Sequence, residues 1–214
     1  MNKPFTPAKR ASKSNQIVLT AKKLFLEQGI DPVKMTDIAD ACDLGVATLY
    51  RYFRVKKGLV IAAGLLVWEE AYEDFATIAE ASKKVGANGY ESLKSLAMHF
   101  YTLFHDDKDF FLFVRDFDSF CIKERVLPSE LAENDAIFLK IKDLFMAAGQ
   151  RGIQDGSVRP HEDFEITYFA FSRALLSLGE KLIGDTAIVQ SDKLTDSDKQ
   201  ILALINVLLA YFAH

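Results

Sequence analysis

The stretch MTDIADACDLGVATLYRYFRVKK, residues 35–57, holds two short amphipathic segments separated by a turn. Ile38, Cys42, Leu44, Leu49 and Tyr52 fall where two steeply crossing helices bury apolar side chains between them. Ala39 sits at their closest approach, where a larger side chain would push them apart. Asp43-Leu44-Gly45 supplies the short turn that a helix-turn-helix needs. Asp tolerates a left-handed backbone better than most residues, and Gly45 is an acceptable N-cap without a side-chain acceptor. The second helix presents Ala47, Thr48, Tyr50, Arg51 and Tyr52 on or near its outer face. Small, hydroxyl-bearing and cationic groups of this kind suit a DNA groove.

Outward from this stretch the chain reads as all-α. A helix over Lys13–Gly29 carries Ile17, Ala21, Leu24 and Phe25 on one face, and Gly29 ends it. Thr36 reads as the cap of the next helix, with Asp37 favourable near its N-terminus. The recognition helix spans 45–53. Lys56 and Lys57 open a long helix to Lys84, and Gly86-Ala87-Asn88-Gly89 breaks the chain. Helices follow over 90–105, 110–123, 130–152, 164–184 and 196–212, with a turn at Pro128 and a loop at 152–163.

Charge divides the chain. Residues 1–58 hold eleven Lys/Arg against five Asp/Glu, a net of +6, within a whole of 214 residues at -4. The remainder is therefore at -10. A basic module on an acidic body orients toward nucleic acid. Lys9, Arg10 and Lys13 suit either an arm into the minor groove or a solvated basic tail. Half of the residues are hydrophobic and the mean hydropathy is +0.05, which fits a chain with a generous core and excludes a disordered one. No apolar run suits a bilayer span, and no apolar signal core follows the basic N-terminus, so cytoplasmic residence is expected. Cys42 and Cys121 form no metal or redox spacing and read as buried reduced thiols.

Ile17, Ala21, Phe25 and Gly29, then Thr36-Asp37-Ile38-Ala39, then Thr48-Leu49-Tyr50-Arg51-Tyr52-Phe53, then Lys56 and Leu59 stand in one register. This pattern resembles the TetR family of transcriptional regulators over residues 13–60. Asp43, Gly45 and Ala47 depart from the family's usual Gly, Ser/Thr and Gly, which affects the operator sequence rather than the binding mode. The resemblance implies a three-helix DNA-binding domain at 1–58 and a helical ligand-binding and dimerisation domain at 59–214. It also implies a DNA-facing set of Thr36, Val46, Ala47, Thr48, Tyr50, Arg51, Tyr52 and Lys56. Thr36, Tyr50 and Lys56 would grip phosphates, while Thr48, Arg51 and Tyr52 approach base edges. Val46 and Tyr52 also fit inward positions.

The same resemblance implies a ligand cavity in the middle of the chain, with Phe100, Phe104, Phe113, Phe117, Phe120, Phe138 and Tyr168 as candidate lining. Tyr101, His99, Arg115 and Asp116 are nearby polar candidates. For any single ring a packed aromatic core is the favoured reading, and the cavity rests on the resemblance alone. The last two helices are apolar on more than one face. Phe169, Arg173, Leu175, Leu178, Leu182, Ile201, Leu204, Ile205, Leu208 and Phe212 are the candidate interface of a homodimer, whose twofold symmetry predicts a pseudo-palindromic double-stranded DNA operator. The expected activity is repression relieved by a small-molecule effector, without a cofactor.

An enzyme is not expected: His99, His105, His161 and His214 are scattered, and no glycine-rich phosphate loop or nucleophile elbow occurs. A metal-responsive sensor using His99 with Cys121 or Asp116, and a helical protein-interaction adaptor, remain as alternatives.

Overall fold

The structure, a computed structural model, describes residues 7–160, 163–183 and 194–213. It is all-α: α1 Pro7–Gln28, α2 Met35–Ala41, α3 Val46–Tyr52, α4 Lys56–Lys84, α5 Gly89–Asp106, α6 Lys108–Lys123, α7 Ala132–Asp155, α8 Phe164–Leu182 and α9 Ser197–Phe212. A 3-10 turn at Pro128–Leu131 precedes α7. Among the described residues the extended pairing is one isolated bridge between Val158 and Ala213.

The packing forms two compact units. One gathers residues up to Trp68 with Leu112–Asn134, and the other gathers Glu69–Phe111 with Asp135 onward. The first unit thus holds more than residues 1–58. It takes in the start of α4 and most of α6, because the apolar faces of these segments close its core. Ile17, Phe25, Ile38, Leu49, Leu59 and Phe113 are all at most 2% exposed. Gly64 marks a close approach within this core: a Cβ there would lie 2.9 Å from Cζ and 3.0 Å from Cδ2 of the Phe117 ring.

Local chemistry explains most boundaries. Pro7 opens α1 six residues before the expected start, where a missing N–H costs nothing. Gly29 closes it at φ +82°, a left-handed conformation that other side chains resist. The N-cap of α2 is Lys34, not Thr36, because Asp37 Oδ2 accepts the Lys34 backbone N–H at 2.7 Å. The loop expected from Gly152 begins only after Asp155, the last residue of α7.

In the second unit α5 packs on α9, and α9 packs on α8. Three N–H groups in the first turn of α5 have side-chain acceptors. Asp155 Oδ2 takes Gly89 N–H at 2.8 Å, Ser157 Oγ takes Tyr90 N–H at 3.0 Å, and Asn88 Oδ1 takes Glu91 N–H at 2.8 Å. These bonds fix the end of α7 to the start of α5 and satisfy donors that a helix otherwise leaves orphaned. Ring contacts continue inside: Phe75 and Phe100 lie 5.2 Å apart, and Phe145 and Tyr168 lie 5.1 Å apart.

Candidate nucleic-acid interface

The interface is built on α3, whose position rests on Leu49. That side chain is fully buried, so the rest of the seven-residue helix is fixed in rotation. Before α3, Asp43 adopts φ +52°, as the turn requires. Leu44 N–H then reaches back to Ala39 C=O at 2.9 Å. Gly45 is the N-cap, and its carbonyl accepts from Thr48 N–H at 2.7 Å and Leu49 N–H at 3.2 Å.

With Leu49 inward, Ala47, Tyr50 and Arg51 are exposed, and Val46, Thr48 and Tyr52 are half-buried. Arg51 Nη2 donates to Thr48 Oγ1 at 3.1 Å. This bond lies along one turn of the exposed face and leaves other guanidinium donors available. Thr36 is exposed and its hydroxyl donates to Asp37 Oδ1 at 3.3 Å.

Lys56 departs from its expected place at a phosphate. Its ammonium donates to the carbonyl of Ile30 and, at 3.1 Å, to that of Asp31. It also lies over the Phe120 ring, 5.8 Å from the centroid. Burial lowers its pKa below the usual lysine value, against the pull of Asp31. Next to it, Lys57 Nζ meets Glu130 Oε1 at 2.7 Å. Lys123 reaches Asp31 Oδ2 at 2.8 Å. These ion pairs join residues 73 and 92 positions apart, so no local sequence signal announces them.

Comparison with known proteins places this geometry. Residues 17–63 match the family described as bacterial regulatory proteins of the tetR family. The chain is 23% identical over 172 residues to the HTH-type transcriptional repressor KstR2 of Mycolicibacterium smegmatis, covering 77% of each chain. Residues 17–63 thus carry the DNA-binding domain of the TetR family. Its fold matches that of a putative TetR-family regulator from Mesorhizobium loti at a TM-score of 0.72, with 16% identity over 96% of this chain and 99% of the other. The ketosteroid transcriptional regulator KstR2 of Mycobacterium tuberculosis aligns at a TM-score of 0.60, with 14% identity over 94% and 95% of the two chains. The helix-turn-helix is therefore that of a TetR-family DNA-binding domain, on a fold shared with TetR-family regulators over nearly the whole chain.

The candidate ligand residues are split. Phe113, Phe117 and Phe120 are buried in the first unit, where Phe113 and Phe117 stack at 5.9 Å. Phe100, Phe104 and Tyr168 are buried in the second, and Phe138 there is half-buried. A cavity of about 10 Å³ opens in the second unit among Leu93, Phe145, Phe164, Tyr168, Phe171, Leu208, Leu209 and Phe212. Of the expected lining only Tyr168 borders it. That volume is the room of one water, so a ligand could enter only by displacing rings.

The polar candidates also separate. Arg115 Nε and Nη2 both donate to Asp116 Oδ1, at 3.2 and 3.1 Å. His99 is buried edge-on to Phe75 at 4.6 Å, and its Nε2 has no hydrogen-bond partner among the described residues. Burial lowers its pKa, offset in part by Asp74. Among the described residues no group of three or more His, Cys, Asp or Glu could hold a metal ion. His161 and His214 lie outside the described residues. Cys42 is buried, but Cys121 is half-buried, a correction to the expectation for it. Burial, with Asp118 and Glu130, pushes its thiol up to about 11.

Half of the expected dimer set belongs to the chain's own core. Leu175, Ile201, Ile205, Leu208 and Phe212 are buried within the chain. Arg173 is exposed, and Phe169, Leu178, Leu182 and Leu204 are half-buried. The exposed apolar residues of α8 and α9 include Ile166 and Val207, 66% and 67% exposed, and Tyr211 at 47%. The apolar count on these helices could not separate their two faces. The basic residues Lys9 and Arg10 lie inside α1 rather than in an arm before it. Among the described residues no helix is long and apolar enough to cross a membrane.

Proposed function

We propose that this protein is a cytoplasmic repressor that binds a pseudo-palindromic DNA operator as a homodimer and leaves it when a small apolar effector binds the second unit. The observation that carries the reading is the α3 face: Ala47, Tyr50 and the Arg51–Thr48 pair stand outward on a helix pinned by the buried Leu49. Thr48 and Arg51 read base edges, with Ala47 against a thymine methyl. Tyr50 and Thr36 hold the backbone, and Val46 and Tyr52 flank the contact. Phosphate contacts set register and base contacts set sequence. A similar repressor and a structural neighbour named as a ketosteroid regulator support repression and an apolar effector.

Dimerisation uses the outward side of α8 and α9, with Ile166, Phe169, Arg173, Leu204, Val207 and Tyr211 toward the second copy. Twofold symmetry then sets two α3 helices about one DNA turn apart. The effector acts only through its differential affinity for the operator-bound and free states.

The test is selection of duplexes from a random DNA pool by the purified protein. An enriched inverted repeat with half-sites one turn apart is the expected result. Binding without enrichment would reject sequence-specific repression.

A further inference from the structure

Several cations cluster around the junction of α3 and α4, and their partners sort them. Lys56 is turned inward: its ammonium serves the carbonyls of Ile30 and Asp31 and lies against Phe120. Moving it to a phosphate would leave those carbonyls without that donor, a loss that bound DNA would have to offset. Lys57 is held by Glu130, and Lys123 by Asp31. Arg54 differs. It lies between the end of α3 at Tyr52 and the start of α4 at Lys56, it is exposed, and it makes no ion pair or hydrogen bond among the described residues. Its surroundings are open too: Val55 is 53% exposed, and a Cβ on Gly58 would meet nothing within 4 Å. Arg54 also follows Tyr50, 46% exposed, by four residues.

We infer that Arg54 is the phosphate-anchoring residue of this interface, and that Lys56 is a structural lysine whose charge holds the α1–α2 connection to the start of α4. The inference deepens the DNA-binding reading and rests on it. Arginine suits the role because its planar donors can engage two phosphate oxygens at once. An exposed guanidinium with no ion pair among the described residues also gives up none of them when it binds.

The experiment measures binding of labelled mixed-sequence duplex DNA across a salt series, for wild type, Arg54→Gln, Arg54→Lys and Lys56→Met. Each phosphate neutralised contributes about 0.9 to the slope of log affinity against log salt. Arg54→Gln is expected to lower the slope by about 0.9 per bound subunit. Over a fourfold rise in salt, wild type then loses roughly 3.5-fold more affinity per subunit than the variant. Arg54→Lys keeps the slope, and the Arg54→Gln loss is equal on G·C-rich and A·T-rich duplexes. Lys56→Met keeps the slope but lowers the thermal midpoint.

A wild-type slope in Arg54→Gln overturns the inference. So does a loss confined to one duplex composition, or a reduced slope in Lys56→Met at an unchanged midpoint. In each of those cases wild type still binds DNA. Absence of salt-dependent duplex binding by wild type would instead reject the DNA-binding reading itself.

Discussion

Replacing Gly64 with alanine sets helix propensity against packing inside the first unit. Gly64 lies well within α4, where Gly→Ala normally stabilises a helix by about 1 kcal/mol. Here the new methyl would stand 2.9 and 3.0 Å from two Phe117 ring atoms and closer still to Cε2. The ring cannot simply swing aside, since it is only 6% exposed and stacks on Phe113 at an interplanar angle of 21°. Overpacking of this kind costs about 1–3 kcal/mol, and contact with three ring atoms argues for the upper part of that range. Packing should win, leaving Gly64→Ala about 1–2 kcal/mol less stable than wild type. Urea denaturation followed by helical circular dichroism measures it. Phe117→Leu should relieve the clash, so the Gly64→Ala/Phe117→Leu pair should be more stable than the sum of its single effects by about 1 kcal/mol. An alanine variant at least as stable as wild type, with additive effects in the pair, would refute the argument that α4 and α6 close at this point.

Arg51→Ala should cost about 1–3 kcal/mol at a selected operator and relax preference at one base position, whereas Tyr50→Phe should weaken all duplexes alike; competition binding on single-base operator variants separates the two. His99 should make the protein acid-sensitive. Its folded pKa is lowered, so the unfolded chain binds the proton more readily, and stability falls as pH drops below the unfolded value of about 6.5. His99→Phe should flatten that acid-side fall in urea midpoints compared at about pH 7.5 and about pH 5.5. Val207→Asp, at a position 67% exposed, should leave the helical signal intact and halve the mass seen by light scattering, as a charge on the proposed dimer face requires.

The sequence made the recognition segment legible because its constraints are local. Leu49 inward, Asp43 at positive φ and Gly45 as cap follow from spacing and residue type within a dozen positions. The cap of α2 was misread for a related reason. Thr36 has the usual capping side chain, but the decisive acceptor is Asp37, which takes the N–H three residues before it. The aromatic cluster was legible only as composition. Phe113, Phe117 and Phe120 share neighbouring turns of α6 with Phe110 and Phe111, yet the two groups fall in different units. Helical periodicity says that such rings are buried, not which neighbour buries them.

Charge shows the same limit most clearly, and it bears on function. The net of +6 over residues 1–58 counts Lys56 and Lys57 equally with Arg54. Their partners make them unequal. Glu130 and Asp31 engage Lys57 and Lys123, backbone carbonyls take Lys56, and α6 with its following turn brings Lys123 and Glu130 into the unit from beyond residue 111. Residues distant in sequence therefore set how much of the local positive charge remains for DNA: Glu130 takes up Lys57, while Lys123 offsets Asp31. Because an ammonium that leaves a carboxylate for a phosphate strands a charge that offsets the counterion released from the DNA, the electrostatic strength of this interface should follow the unpaired cations rather than the total. Glu130→Gln tests that step directly: it should free Lys57, raise affinity for mixed-sequence duplex at low salt and steepen the salt dependence. An unchanged slope would mean that Lys57 faces away from the DNA and that its charge acts only within the fold.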